Sequence, residues 1–312
     1  VVGAFAWVLR KFMNISGSEG LVAAGNIFMG MTESPVLIKN YLPTMNRSEI
    51  FLVMVSGMGT IAGSVMGTYI GMLGGTDPAA KVLFATHLLS ASVMAVPGSI
   101  VLAKMLCPQT EEATDHVAIS GKEKENSNIL DAISSGTVTG VKLMTNIAAM
   151  LLVFISLVAL ANYITEGVIG RYTGLNDWIV KITDGKAQGL TFQFILGVIT
   201  SPFMWLIGVP SQDIMLVGSL LGQKTILNEF VAYFQLQQWK DAGLFMYEKS
   251  ILMSTYILCG FANISSIGIL LGGLGVLAPE KRGLISRIGV PAMIGGALVS
   301  VLSATIIGMI LG

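Results

Sequence analysis

Charged residues are scarce in this chain of 312 residues: they make up 12% of the sequence, against roughly 25% in ordinary soluble domains. The 18 basic and 18 acidic residues cancel, so net charge gives no argument for a nucleic-acid or an acidic partner. Cysteine and histidine are rarer still. Cys107 and Cys259 are far apart in sequence, and His87 and His116 show no metal-ligand spacing, which argues against a disulfide framework or a metal cluster.

An enzymatic function also lacks support. The sequence contains no Ser/His/Asp order and no Gly-rich phosphate loop with a lysine after a strand. We therefore expect a protein that is not an enzyme and that carries no organic cofactor.

Hydrophobic residues, in contrast, make up 53% of the sequence and form long runs. A membrane-spanning helix needs about 20 mostly apolar residues, and five runs reach that length: 50–73, 82–106, 141–164, 250–277 and 284–311. Four apolar pieces, 17–32, 191–209, 214–221 and 230–236, are too short or too interrupted to cross alone. The sequence predicts an all-α polytopic membrane protein in which these short pieces form re-entrant helical hairpins.

Polar segments suggest how the chain is divided. Residues 108–127 are rich in charge and predict an aqueous loop, whereas residues 166–189 mix charges with Tyr172 and Trp178, as interfacial helices do. We expect a first repeat over 1–106, a connecting loop over 107–141, a scaffold span with an interfacial helix over 142–190, and a second repeat over 191–312. Because the sequence begins at Val1 without an initiator Met, we also expect N-terminal spans to be missing.

The same order of features occurs twice in the chain. A predicted hairpin is followed by a glutamate and then by a broken span, which is an apolar span interrupted by glycine and polar residues. Residues 18–25 align with 211–218, Glu33 aligns with Glu229, and 57–61 align with 260–264. Few residues are identical between the two copies, so the repeated order of features is stronger evidence for an internal repeat than residue identity is. Paired Gly/Pro-interrupted apolar segments are typical of transporters whose site lies at the membrane midplane between discontinuous helices.

The two glutamates lie in apolar surroundings, where a charge costs from about 3 to above 10 kcal/mol and survives mainly beside a polar cavity or pathway. In the tip of the first predicted hairpin, residues 25–35, Pro35 suits the first turn of a half-helix, which places Thr32 and Glu33 near a helix N-terminus. Two plainer alternatives stay open: a helix-capping cluster around Glu33, and a structural pair between Lys224 and Glu229.

Neutral polar groups accompany the two carboxylates. Asn263 and Ser266 are three residues apart and share one helix face. No arginine that could bind an anion lies in the first tip or in the second, residues 222–230. This chemistry favours an uncharged, polyhydroxylated solute. The side chains of Asn26 and Thr60, with free carbonyls near Met29 and Ile61, offer oxygen ligands of the kind that hard cations prefer, and sodium is the natural candidate.

Four motifs make the chain resemble the concentrative nucleoside transporter family: AGNIFMGMTESP at 24–35, GMGTIAGSV at 57–65, NEFVAY at 228–233 and CGFAN at 259–263. The resemblance implies a homotrimer of sodium- or proton-coupled symporters in the lipid bilayer, which we expect to be a bacterial inner membrane. Each protomer would have two re-entrant hairpins and two unwound spans around a nucleoside site, and full members carry about three more N-terminal helices.

The resemblance also implies roles for individual residues. The base would be faced by Gly30, Met31, Thr32, Glu33 and Val65. The ribose would be held by Glu229, Asn263 and Ser266, with Phe261 packed beside it. The sodium ion would be bound by Asn26, Met29, Thr60 and Ile61. Most family members have Gln where this chain has Met31, so we expect a preference for purine nucleosides.

Other functions remain open at this point. Protonation of Glu33 or Glu229 is the competing way to couple transport to a gradient. A channel would use the same polar tips to line an open pore, and a membrane enzyme would use the two glutamates as an acid and a base. Within transporters, a free nucleobase or a sugar is the alternative solute.

Overall fold

The computed structural model describes residues 2–111, 156–183, 185 and 187–312, together with residues 130, 133, 134, 137, 138, 141, 152 and 153. Every regular element among these residues is a helix, which confirms the predicted all-α class. The chain divides into two compact units, Val1–His116 with Leu196–Gly312 as unit 1 and Val117–Ile195 as unit 2. The connecting loop predicted over 107–141 and the span predicted over 141–164 fall largely outside the described residues.

The first part of unit 1 contains five α-helices and one 3₁₀ helix. They are α1 Val2–Met13, α2 Gly17–Gly25, the 3₁₀ helix Ser34–Ile38, α3 Arg47–Gly59, α4 Gly63–Gly74 and α5 Pro78–Leu106. Capping explains where three of them start. Ser16 with Glu19 and Asn46 with Glu49 form reciprocal capping boxes at α2 and α3, and Asp77 caps α5, in which proline is the first residue.

The described part of unit 2 is also helical. A π-helix Tyr163–Gly170 continues into Arg171–Thr173 and is followed by α6 Leu175–Ile182. Asn176 ties these pieces together, since its Nδ2 donates to the Glu166 carbonyl at 3.0 Å and its Oδ1 accepts from the Leu190 amide at 3.0 Å. Tyr172 and Trp178 are both exposed. This segment is helical and exposes aromatic residues, as expected of a segment at a membrane interface. Its position in a membrane stays a prediction.

The rest of unit 1 is built from six α-helices and a short 3₁₀ helix, Pro279–Lys281. The α-helices are α7 Phe192–Leu206, which begins just before the unit boundary, α8 Ile214–Ile226, α9 Glu229–Asp241, α10 Glu248–Leu258, α11 Ile264–Leu277 and α12 Arg282–Ile310. Asparagine is the N-cap residue of α9 and α11. Asn228 Oδ1 accepts from the Val231 amide at 2.9 Å, and Asn263 Oδ1 accepts from the Ser266 amide at 2.9 Å. Asparagine is a favoured N-cap because its side chain satisfies a free amide of the first turn.

Three helical segments of the described chain are long and apolar enough to cross a membrane: Arg47–Gly74, Pro78–Leu106 and Pro279–Ile310. The first consists of α3 and α4 and is interrupted at 60–62, while the run predicted at 250–277 is divided into α10 and α11 at 259–263. The short apolar pieces form α2, α7, α8 and α9. At 13 residues, α8 and α9 are about 20 Å long, which is less than the roughly 30 Å of the hydrocarbon core.

Small residues on α12 allow the carboxyl end of α3 to approach closely. A Cβ at Gly295 would lie 2.9 Å from Val55 Cγ2, and a Cβ at Gly296 would lie 2.7 Å from Met58 Cβ. Close backbone approach at small residues is the usual basis of helix packing in membranes, where no hydrophobic effect drives helices together. Helix α12 therefore packs tightly against the last turns of α3, next to the first interruption.

Candidate functional site

The two interrupted spans meet at their breaks. The Phe261 amide donates to the Thr60 carbonyl at 3.2 Å, so the segment after α10 is tied to the segment after α3. Gly260 has φ +150°, and a Cβ there would lie 2.9 Å from both the Met58 carbonyl oxygen and Ser300 Oγ. Glycine alone fits this crossing. Around it lie the ends of four half-helices, where backbone amides and carbonyls lack the intrahelical partners of a continuous helix.

A buried polar group surrounds Glu229 at the start of α9. This carboxylate is only 7% exposed, and its Oε1 accepts from Tyr69 OH at 3.3 Å while its Oε2 accepts from Asn263 Nδ2 at 2.9 Å. The hydroxyl of Ser266 donates to Asn263 Oδ1 at 3.0 Å. The three residues expected to hold a ribose therefore lie within one hydrogen-bonded group, built from α9 and the beginning of α11.

Tyr69 also belongs to this group, although no motif in the sequence points to it. It is fully buried on α4, its ring stacks on Tyr233 with centroids 4.1 Å apart, and Phe230 lies at 6.0 Å. Tyr233 in turn donates its hydroxyl to the Thr255 carbonyl at 2.8 Å. The only sequence signal was a tyrosine in an apolar half-helix, and that pattern does not reveal which carboxylate it meets.

The tip that contains Glu33 is more open. Thr32 and Glu33 are exposed, and Glu33 Oε2 accepts from the Gly30 amide at 3.0 Å, so the carboxylate folds back over its own turn. Glu33 thus satisfies an amide of the tip, but its side chain does not cap the 3₁₀ helix that follows, so this contact is not the helix cap considered as an alternative. Thr32 Cγ2 lies 3.5 Å from the position of a Cβ at Gly273 on α11. The first tip therefore lies beside the same helix whose beginning carries Asn263 and Ser266.

The remaining residues predicted to face the base are distributed between surface and core. Gly30 is buried and packs near Ala62, and Val65 is half-buried on α4. Met31 is 8% exposed and packs in the apolar core, its Cβ 2.9 Å from the position of a Cβ at Gly57. Phe261 is half-buried at the second break. A glycine at position 57 is what allows the backbone of Met31 to approach α3 so closely.

The predicted sodium ligands also lie close to one another. Asn26 is fully buried, its Oδ1 accepts from Ser34 Oγ at 2.5 Å, and its Nδ2 donates to Ser56 Oγ at 2.9 Å. Thr60 Oγ1 donates to the Ser56 carbonyl at 3.0 Å. Ser56, which lies just outside the recognised motifs, therefore connects Asn26 with Thr60.

Backbone contacts bring the other two predicted ligands to the same place. The Gly63 amide donates to the Phe28 carbonyl at 3.1 Å, which joins the residue before Met29 to the segment that follows Ile61. These groups are neutral oxygen donors, as a monovalent hard cation requires. No cluster of three or more His, Cys, Asp or Glu side chains with metal-binding geometry occurs in the described part of the chain.

Lys224 and Glu229, considered above as a structural pair, interact electrostatically, but Lys224 makes its hydrogen bonds elsewhere. It is fully buried on α8, and its Nζ donates to the Ile257 carbonyl at 2.8 Å and to Ser300 Oγ at 2.9 Å. The partners of Glu229 are the neutral groups of Tyr69 and Asn263. The carboxylate is therefore left available to a neutral hydroxylated ligand.

Two family descriptions match the chain. Residues 87–308 match the family described as "Na+ dependent nucleoside transporter C-terminus", and residues 1–76 match the one described as "Nucleoside recognition". The first match covers more than half of the chain.

Individual relatives are similar over nearly all of the chain. An uncharacterized transporter from Haemophilus influenzae is 38% identical over 315 residues, which cover 100% of this chain and 70% of that protein. Sodium/nucleoside cotransporter 1 from Rattus norvegicus is 38% identical over 324 residues, which cover 99% of this chain and 47% of that protein. The chain thus spans about half the length of this mammalian relative.

Solved structures of CNTnw share the helical arrangement. In an inward-facing substrate-bound state, CNTnw superposes with a TM-score of 0.85 at 36% identity, covering 100% of this chain and 69% of that one. A CNTnw variant in an outward-facing state gives a TM-score of 0.87 at 35% identity, covering 99% of this chain and 69% of that one. The same fold is therefore found in more than one state.

Proposed function

The chain belongs to the sodium-dependent nucleoside transporter family, and we propose that it is a secondary active transporter that moves a nucleoside together with sodium by alternating access. The observation that carries the proposal is the meeting of the two helix breaks. On one side lies the buried group of Glu229, Asn263 and Ser266, and on the other lie the oxygen donors around Asn26 and Thr60.

The ribose site is proposed at Glu229. A carboxylate with neutral neighbours accepts hydrogen bonds from vicinal hydroxyls, and such charge-assisted bonds are stronger than those between neutral groups. Asn263 and Ser266 supply an amide and a hydroxyl beside it, and Phe261 supplies an apolar surface next to the sugar. A free nucleobase has no sugar hydroxyls to donate to Glu229, which favours a nucleoside over the base alone.

The base site is proposed at the first tip, with Gly30, Met31, Thr32, Glu33 and Val65. Thr32 lies beside Gly273, seven residues after Ser266 on α11, a separation of about 10 Å along the helix. This spacing allows one ligand to reach from the tip to the start of α11. An apolar Met31 in place of an amide favours a purine over a pyrimidine, because it offers no hydrogen bond to the pyrimidine edge.

Sodium is proposed to bind to Asn26, Met29, Thr60 and Ile61. These residues come from the first hairpin and from the break after α3, so a bound cation would hold the hairpin tip against the break. Because the same tip carries the groups that face the base, sodium binding would organise the solute site. Proton coupling through Glu33 or Glu229 remains the alternative.

The architecture behind this proposal is a repeat with two re-entrant hairpins. In the first repeat, α2 and the 3₁₀ helix would form hairpin 1, and α3 and α4 the broken span. In the second, α8 and α9 would form hairpin 2, and α10 and α11 the broken span. We place the repeats at 1–106 and 191–312, with the loop and scaffold segments between them, and propose a homotrimer in a bacterial inner membrane.

Uptake into proteoliposomes tests the proposed function. We expect saturable accumulation of inosine against its gradient when sodium is high outside, and no accumulation when choline replaces sodium. Equal accumulation driven by a pH gradient alone would show that protons are the coupling ion. Non-saturable equilibration without accumulation would indicate a channel, and chemical conversion of inosine would indicate an enzyme.

A further inference from the structure

Lys224 is a buried cation that the proposed binding sites do not use. Its side chain is fully buried near the end of α8, in a part of the chain where an unpaired charge is costly. Its hydrogen bonds go to a backbone carbonyl, Ile257, and to a hydroxyl, Ser300, at 2.8 and 2.9 Å. Such partners are the oxygen ligands of a cation site and differ from the carboxylate expected of a salt bridge.

The acceptors of Lys224 lie where a half-helix ends. Helix α10 stops at Leu258, so its last carbonyls lack intrahelical donors. Ser300 Oγ also donates to the Cys259 carbonyl at 2.9 Å. Aligned peptide dipoles make such an end electronegative, and the effect is strongest where water is excluded. A positive charge at this position therefore stabilises the break.

The first repeat has a corresponding end without a fixed charge. Helix α3 stops at Gly59, and the hairpin residue that faces this end is Asn26, an amide joined to α3 through Ser56. In both repeats, the first arm of a hairpin thus places a polar side chain at the carboxyl end of a half-helix. In the first that side chain is neutral, and in the second it is an ammonium group.

We infer that the Lys224 ammonium is a tethered cation that occupies, at the end of α10, the place that sodium takes at the end of α3. The inference rests on the proposed function, since it assumes the sodium site at Asn26 and Thr60. It assigns Lys224 as a positioning residue that joins hairpin 2 to the second break. One mobile sodium per solute is then sufficient, because the second repeat carries its own cation.

Sodium dependence of uptake in three Lys224 variants tests this role. In the wild type, we expect a Hill coefficient for sodium of about 1. Lys224→Ala leaves room for an ion beside the Ile257 carbonyl and Ser300. We expect uptake in this variant to require more sodium, with a Hill coefficient approaching about 2 because a second sodium ion replaces the ammonium.

Lys224→Met fills the space without charge and should lose uptake at every sodium concentration, while Lys224→Arg should keep the wild-type coefficient.

A matched control is Lys240→Met. Lys240 lies on α9, and its Nζ also donates to a carbonyl near a half-helix end, that of Leu73, but its side chain is partly exposed. We expect the wild-type Hill coefficient in this variant.

Wild-type uptake by Lys224→Met, or an unchanged Hill coefficient in Lys224→Ala, would overturn the inference. So would loss of uptake by a folded Lys224→Ala variant at all sodium concentrations. If the alanine variant does not fold, Lys224→Ser, which also leaves room for an ion, replaces it with the same expected results. Failure of the proposed function has a different signature, because wild-type uptake would then be independent of sodium.

Discussion

At the scale of single residues, the Glu229 carboxylate is held by side chains from two different helices. Tyr69 from α4 reaches Oε1 and Asn263 from α11 reaches Oε2. An ionised carboxylate has about four lone-pair positions, so it can accept further hydrogen bonds from hydroxyls of a bound ribose. The two protein donors fix the direction in which these positions point, which makes Tyr69 part of the site.

Removing the hydroxyl of Tyr69 tests that assignment. Tyr69→Phe keeps the ring stacked on Tyr233 and deletes only the donor to Glu229. We expect the KM for a nucleoside to rise by a factor of roughly 5 to 30, equivalent to about 1–2 kcal/mol. The control is Tyr233→Phe, whose hydroxyl contacts the Thr255 carbonyl instead. A larger KM effect in the control would contradict a role for Tyr69 in orienting Glu229.

Ser56 allows a separate test of the sodium site. Ser56→Ala removes the acceptor of Asn26 Nδ2, so the Asn26 side chain loses part of its orientation. We expect the half-saturating sodium concentration to rise roughly fivefold, about 1 kcal/mol, with an unchanged KM for nucleoside at saturating sodium. Ser99→Ala is the control, because this buried hydroxyl bonds only to the Val96 carbonyl in its own helix. Equal effects of both substitutions would argue against the proposed site.

Selectivity is expected to depend on position 31. Met31→Gln introduces an amide that can bond to a pyrimidine edge, and we expect the uptake ratio of uridine to inosine to increase about tenfold, or about 1.4 kcal/mol. The ratio is informative even if total uptake falls, since Met31 is packed in the core. Competition assays in which wild-type protein binds uridine as tightly as inosine would refute the purine preference itself.

At the scale of helices, the decisive feature is that α3 and α10 end against each other. The Phe261 amide reaches the Thr60 carbonyl, and Gly260 lies where a side chain would contact Met58 and Ser300. Glycines on α12 hold the end of α3 in place. The two breaks are therefore packed against each other and against α12.

A methyl group at Gly260 should disturb this crossing. Gly260→Ala combines a strained backbone, costing about 1–3 kcal/mol, with overlap against two oxygens. We expect a clearly lower unfolding temperature in detergent and loss of uptake. Gly268→Ala on α11 is the matched control: a Cβ there meets nothing within 4 Å, and alanine is favoured in a helix by about 1 kcal/mol. Equal stability of the two variants would contradict the role assigned to Gly260.

At the scale of the whole molecule, the first tip contacts a helix from the distant half of the chain. Thr32 Cβ lies 3.9 Å from the position of a Cβ at Gly273 on α11. Alternating access requires one element to move relative to another around the bound solute. A permanently open channel has no such requirement, so preventing movement at this contact would separate the two functions.

A disulfide across this contact tests for the movement. The 3.9 Å separation lies within the roughly 3.5–4.5 Å between Cβ atoms of natural disulfides. In a background with Cys107→Ser and Cys259→Ser, we expect Thr32→Cys combined with Gly273→Cys to lose uptake on oxidation and to regain it with dithiothreitol. Each single cysteine variant should be insensitive to the oxidant. Full uptake by the oxidised double variant would mean that the tip does not move during transport.

Parts of the fold were predictable because they follow from local chemistry. The lengths of the apolar runs indicated spans at 82–106 and 284–311, and the structure has α5 and α12 there. The runs at 50–73 and 250–277 look continuous by composition, but the structure divides each of them. Glycine and polar residues indicated that these spans are broken. The exact ends of the half-helices depend on contacts with α12 and with each other.

The sequence by itself determined that the chain is helical, apolar enough for a membrane, and marked by motifs around Asn26, Glu33, Glu229 and Asn263. Tertiary structure alone decided which partners these residues have. Tyr69 and Glu229 are separated by 160 positions in sequence, and Lys224 and Ser300 by 76, yet each pair is hydrogen-bonded. The physical reason is that a buried polar group needs a hydrogen-bond partner, and the packing of the helices determines which partner is within reach. The periodicity of residues along one helix does not reveal which other helices pack against it.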